Sequence, residues 1–114
     1  MAFMKVEELF IEAVRNSLEL PGEVRSRAGL ACGINLAAFD PSYLQFLDQQ
    51  IQMNTRGAEW AAIYRRRLAG LTSLAGRSLV SGHIRYDSFS TWIKVDPNTR
   101  SVVYWEQLQD DVGA

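Results

Sequence analysis

The hydrophobic period of this chain changes once. From residue 6 to about residue 71 the apolar positions recur at three- and four-residue steps; from about 78 to 107 they alternate. The first spacing keeps one stripe of a helix apolar, and the second keeps one face of a strand apolar. A chain that runs helices first and strands last is expected to segregate them rather than wind them into a parallel sheet. The prediction is an α+β fold with three to four N-terminal helices and a three-stranded antiparallel β-meander. With 114 residues, it is expected to form one domain over 1–114.

The first helix carries Val6, Leu9, Phe10, Ala13, Val14 and Leu18 on one stripe, with Glu7 and Glu8 in its first turn. Pro21-Gly22 stops it. The segment Glu23 to Ala38 is rich in small residues and reads as a buried central helix. Gly29 and Gly33 would each cost that helix about 1 kcal/mol relative to Ala, so they imply close packing or a break near Gly33. Asp40-Pro41 reads as an N-cap and first helical position. The helix it opens buries Leu44, Leu47 and Ile51, flanked by Tyr43 and Phe46, and ends near Asn54. A fourth follows Thr55 with Trp60, Ile63, Tyr64, Leu68 and Leu71 on its stripe.

In the last third, Val80, Ile84 and Tyr86 share one face of a strand, and Phe89, Thr91, Ile93 and Val95 share one face of the next. In the third strand Val102 and Tyr104 oppose Val103 and Trp105. Asp87-Ser88 and Asp96-Pro97-Asn98-Thr99 read as the two turns. The helices can cover one face of such a sheet. Trp92, with Val103 or Trp105, is then expected to leave an aromatic patch on the other, beside His83 and Arg85. The competing expectation is that Glu23 to Ala38 crosses the back of the sheet and buries it.

Composition removes many mechanisms. One cysteine and one histidine leave no disulfide within the chain and no multi-cysteine or paired-histidine metal site, and no cofactor is expected. The longest nearly apolar run, Leu30 to Phe39, is ten residues against the roughly 20 of a membrane span, so no membrane association is expected. Glu7-Glu8 follow Lys5 too closely for a signal-peptide apolar region, and the expected location is cytoplasmic. No G-x-S-x-G elbow or phosphate-binding loop occurs. Cys32, in its small apolar segment, reads as an inert buried thiol.

Charge is unevenly spread. Residues 1–23 hold five Glu against Lys5 and Arg15, and residues 106–114 hold Glu106, Asp110 and Asp111, each stretch netting −3. The stretch between them nets +5, and the whole chain −1. Ten Arg stand against two Lys, a bias toward the cation that stacks on rings and pairs bidentately. Arg65-Arg66-Arg67 on the fourth helix, followed by a hairpin, is compatible with a winged-helix-like nucleic-acid binder. The acidic balance and the shortage of Lys count against nucleic acid as a partner. His83 with Arg77, Arg85 and Tyr86 is compatible with a small ribonuclease, the imidazole or phenol transferring protons and Arg holding phosphate.

The run from Thr91 to Trp105, TWIKVDPNTRSVVYW, resembles the hairpin of Smi/Knr-type bacterial immunity proteins, where a strand, a D-x-x-T turn and a V-x-Y/W strand recur. It covers about 25 residues, with Asp87-Ser88-Phe89-Ser90 in place of the usual Asp-Gly-Gly-type loop and Arg100 in place of the usual turn glycine. The resemblance implies a small intracellular α+β protein that binds and neutralises a cognate toxin. The same hairpin resembles RelE-like ribonuclease toxins, though without their basic balance. The expected function is a non-catalytic protein-interaction module, an intracellular bacterial immunity or inhibitor protein, rather than an enzyme. Its partner is expected to be a protein, a toxin or basic enzyme, or a second copy in a homodimer. Acidic groups at Glu7, Glu8, Glu12, Glu106, Asp110 and Asp111 would speed encounter with a basic partner. The expected contact residues are Trp92, His83, Arg85, Trp105, Glu106, Asp110 and Asp111.

Overall fold

The computed structural model describes residues 5–38, 41–86 and 88–109. The expected residues Asp40, Asp87, Asp110 and Asp111 lie outside them. The fold is α+β, in the order α1 (Val6–Asn16), α2 (Gly22–Ser26), a 3-10 turn (Ala28–Leu30), β1 (Cys32–Ala38), α3 (Pro41–Met53), α4 (Ala58–Thr72), β2 (Ser78–Tyr86), β3 (Phe89–Asp96) and β4 (Ser101–Gln109). The contacts divide the chain into two compact units, Met1–Ala37 with Ser78–Ala114, and Ala38–Arg77.

In the first unit the sheet has four strands in the order β1-β2-β3-β4, not three. The added strand comes from the segment read as a central helix. That segment forms only the short α2 and the 3-10 turn before becoming extended. Gly33 lies inside β1 and bars one helix through the segment: its φ is +68°, a left-handed conformation that no helix interior accommodates. α1 ends at Asn16, so Leu18 falls beyond the last turn and is 86% exposed rather than on the buried stripe.

β2 pairs antiparallel with β3, and β3 with β4. One face of this sheet carries Val80, Ile84, Tyr86, Thr91, Ile93 and Val95, all buried. α1 lies against it with Leu9, Phe10, Ala13 and Val14 buried. The approach is close because Gly82 has no side chain. A Cβ there would lie 2.9 Å from the Phe10 ring and 3.0 Å from Ile34 Cγ1.

The β3–β4 register slips between Lys94 and Val95: Val95 faces Val102, while Lys94 faces Tyr104. Two residues of β4 thus oppose one step of β3, a β-bulge, and the alternation of β4 reverses across it. Val102 and Trp105 both pack against the core. The turn before β4 is held by Asp96, whose Oδ1 accepts from the Asn98 and Thr99 amides at 2.8 and 3.4 Å. Arg100 sits at φ +57°.

In the second unit α3 and α4 form a helical pair that buries Leu47, Ala61, Tyr64 and Leu71. No helix among the described residues is long and apolar enough to cross a membrane.

Candidate functional site

The sheet face turned away from α1 carries the chemistry. Register lays it out as three cross-strand rows: Ser81, Lys94 and Tyr104; His83, Trp92 and Glu106; Arg85, Ser90 and Leu108. Directly opposed residues on neighbouring strands bring their Cβ atoms to roughly 5 Å, so each row is a line of contacts. Trp92 is central and 44% exposed. The His83 ring stacks on it with centroids 4.6 Å apart and an angle of 21° between planes. Lys94 Nζ donates to Ser81 Oγ at 3.1 Å, and Tyr104 Oη donates to Glu106 Oε2 at 3.0 Å.

β1 completes the cluster. Cys32 is exposed, and its Sγ lies 3.1 Å from His83 Nε2. Gly33 makes this possible. A Cβ at residue 33 would stand 2.9 Å from His83 Cε1 and 3.1 Å from Nδ1. The left-handed turn there also lets β1 send Cys32 to His83 and, one residue after Gly33, Ile34 to the core face. The imidazole is therefore held between the indole and the β1 backbone, with the thiol at its Nε2. A nucleophile and a base within hydrogen-bond reach can do chemistry. An exposed indole with Arg85 on the same face is the composition of a recognition surface.

Of the residues expected to bind a partner, Trp92, His83, Arg85 and Glu106 are brought onto this one face. Trp105 is not. It pairs with Ile93 and packs half-buried against the core, because the bulge reverses β4, and Tyr104 takes its place in the patch. Cys32, read as inert and buried, is exposed and joined to His83. Sequence reasoning missed it because the helical reading of Glu23 to Ala38 hid strand β1. The two glycines in that segment were the signal against a helix.

Of the ribonuclease set, His83 and Arg85 lie on this face and Tyr86 does not. Tyr86 is buried on the opposite face, where its hydroxyl accepts from Gln107 Nε2 at 2.7 Å and from Thr91 Oγ1 at 3.4 Å. Arg77 belongs to the second unit. There Arg65 and Arg66 are exposed on α4, while the Arg67 guanidinium lies 5.9 Å from the centre of the Tyr64 ring. The Arg56 guanidinium lies 3.8 Å over Trp60 and donates to Tyr64 Oη at 3.1 Å. In the first unit Arg27 lies 5.5 Å over Tyr86. Part of the arginine bias thus goes into ring stacking.

Glu7 and Glu8 are exposed on α1, the layer behind the sheet. The acidic helix and the Trp92 face therefore belong to opposite sides of the first unit. Among the described residues no group of three His, Cys, Asp or Glu side chains is arranged to hold a metal ion. Comparison with known proteins finds no family model, no curated protein and no solved structure that matches this chain.

Proposed function

We propose that the chain is a non-catalytic protein-interaction module that docks a partner protein on the outer sheet face centred on Trp92. The observation that carries this reading is the indole itself: 44% exposed in the middle of a sheet, braced by the His83 ring, with Arg85 and Glu106 on the same face. Indole and guanidinium groups dominate the energetic centres of protein interfaces. Bracing lowers the rotamer entropy that docking would otherwise remove.

In its finer form the reading is an intracellular bacterial immunity or inhibitor protein whose partner is a toxin or basic enzyme. The hairpin resemblance and the acidic first helix support this form. The carboxylates of α1 lie on the other side of the unit, so they act at long range on encounter rate, while the Trp92 face makes the contact.

The test uses two baits and the wild type. Trp92→Glu charges the centre of the face, and Glu7→Lys/Glu8→Lys reverses the helix. A basic partner captured by the wild type should be lost by Trp92→Glu. It should be retained by the helix variant with a slower on-rate. A partner that binds Trp92→Glu as well as the wild type would place recognition elsewhere. Light scattering on wild type and Trp92→Glu separates a second copy from a different partner: a wild-type dimer that the substitution dissociates makes the face a homodimer interface.

A further inference from the structure

We propose that Cys32 is a nucleophilic thiol activated by His83, and that the pair is a site of reversible S-thiolation by low-molecular-weight disulfides. This goes beyond the docking reading and does not depend on the partner's identity. Three observations carry it. Cys32 is exposed, so a disulfide can reach it. Its Sγ lies 3.1 Å from His83 Nε2, so the base is at the proton it must take. The imidazole cannot swing aside freely, because Trp92 stacks on it at 4.6 Å and the β1 backbone at Gly33 lies beside it.

The pairing is too particular for an ordinary surface cysteine. It needs a residue without a side chain at position 33, at φ +68°, for the ring to fit. A Cβ there would stand 2.9 Å from His83 Cε1, so the ring or the strand would have to shift.

Among reactions of a thiol, disulfide exchange asks least of its surroundings. It needs a thiolate, in-line access to a sulfur and a proton for the departing thiolate. His83 Nε2 takes the proton from Cys32 Sγ. The sulfur pair attacks one sulfur of R–S–S–R, the S–S bond breaks, and the leaving thiolate RS⁻ recovers the proton from the imidazolium. Cys32 is oxidised to a mixed disulfide, one half of the reagent is reduced to RSH, and no other oxidant enters. Excess thiol reverses the exchange by the same steps.

An unassisted thiol is only about 3% thiolate at pH 7. A base that raises the thiolate fraction also lowers the intrinsic nucleophilicity of the sulfur, so the largest net gain at pH 7 is about fourfold. The experiment measures the second-order rate with an aromatic disulfide that releases a coloured thiolate. It compares the native chain at pH 7 with the same chain in denaturant. The native chain is expected to react about fourfold faster, and native His83→Gln no faster than the denatured chain. Glutathione disulfide should add one glutathionyl group by intact mass, removed by dithiothreitol. Gly33→Ala should lose the acceleration as His83→Gln does. Circular dichroism identifies any variant that fails to fold, and His83→Gln, altered only on the outer face, keeps the test decisive. Equal rates for native wild type and native His83→Gln, or a native rate at or below the denatured one, would overturn the proposal.

Discussion

The two faces of one sheet differ in what their side chains are for. Toward α1, Val80, Ile84, Ile93 and Val95 are at most 1% exposed and meet Phe10 and Val14, themselves fully buried. One residue further along the same strands, the other face holds His83, Arg85, Trp92 and Lys94, none of them fully buried. Period-2 alternation lets one strand serve both purposes without compromise, because a change on one face leaves the other's neighbours in place. Stability should therefore reside on the first face and recognition on the second, and substitutions should separate the two.

The largest separation is expected from Phe10→Ala. The ring is 0% exposed and fills the space that Gly82 leaves open. Its removal opens a cavity between α1 and β2 that the sheet cannot close, so the cost is about 3–5 kcal/mol. The urea midpoint should fall accordingly. A loss under about 1 kcal/mol would mean that α1 is not the element closing this core.

Trp92→Ala is the complementary change. The indole is almost half exposed and stacks on the His83 ring outside the core, so stability should drop by only about 1 kcal/mol. Binding of a captured partner should be abolished in the same variant, read by titration calorimetry. If Trp92→Ala unfolds the chain, the indole belongs to the core and the division between faces fails.

The same contrast sets how much was legible in the sequence. The core face could be read because α1 and the strands β2 and β3 keep regular periods: Leu9, Phe10, Ala13 and Val14 are buried as expected, as are Val80, Ile84, Tyr86, Thr91, Ile93 and Val95. The outer face could be read only where its strand stayed regular. His83, Arg85 and Trp92 were placed by alternation alone. Trp105 was misplaced because a bulge depends on how two strands meet, and no local pattern marks it. Cys32 was missed for a different reason. Small residues are compatible with a helix or an extended segment, and what decides between them is the left-handed backbone at Gly33 beside a ring fifty residues away in the chain. Propensity cannot see that contact.

The smallest effect concerns the hairpin that joins β3 to β4. Arg100 holds φ +57° at the end of the Asp96 turn, with its amide donating to Asp96 O at 2.8 Å. Left-handed backbone costs a residue with a Cβ roughly 1–2 kcal/mol, and glycine adopts it freely. Glycine also gives the unfolded chain more freedom to lose, worth roughly 0.5–1 kcal/mol in the opposite direction. The balance favours Arg100→Gly by about 0.5–1 kcal/mol, so the thermal midpoint should rise by roughly 2–5 °C. The turn lies at the far end of the hairpin from Ser90 and Leu108 and leaves the His83–Trp92–Glu106 row in register. Partner binding and Cys32 reactivity should therefore be unchanged in this variant. A midpoint that stays level or falls would show that the arginine side chain returns more than its backbone costs. A gain in stability with a loss of partner binding would extend the recognition surface from the sheet face to the turn.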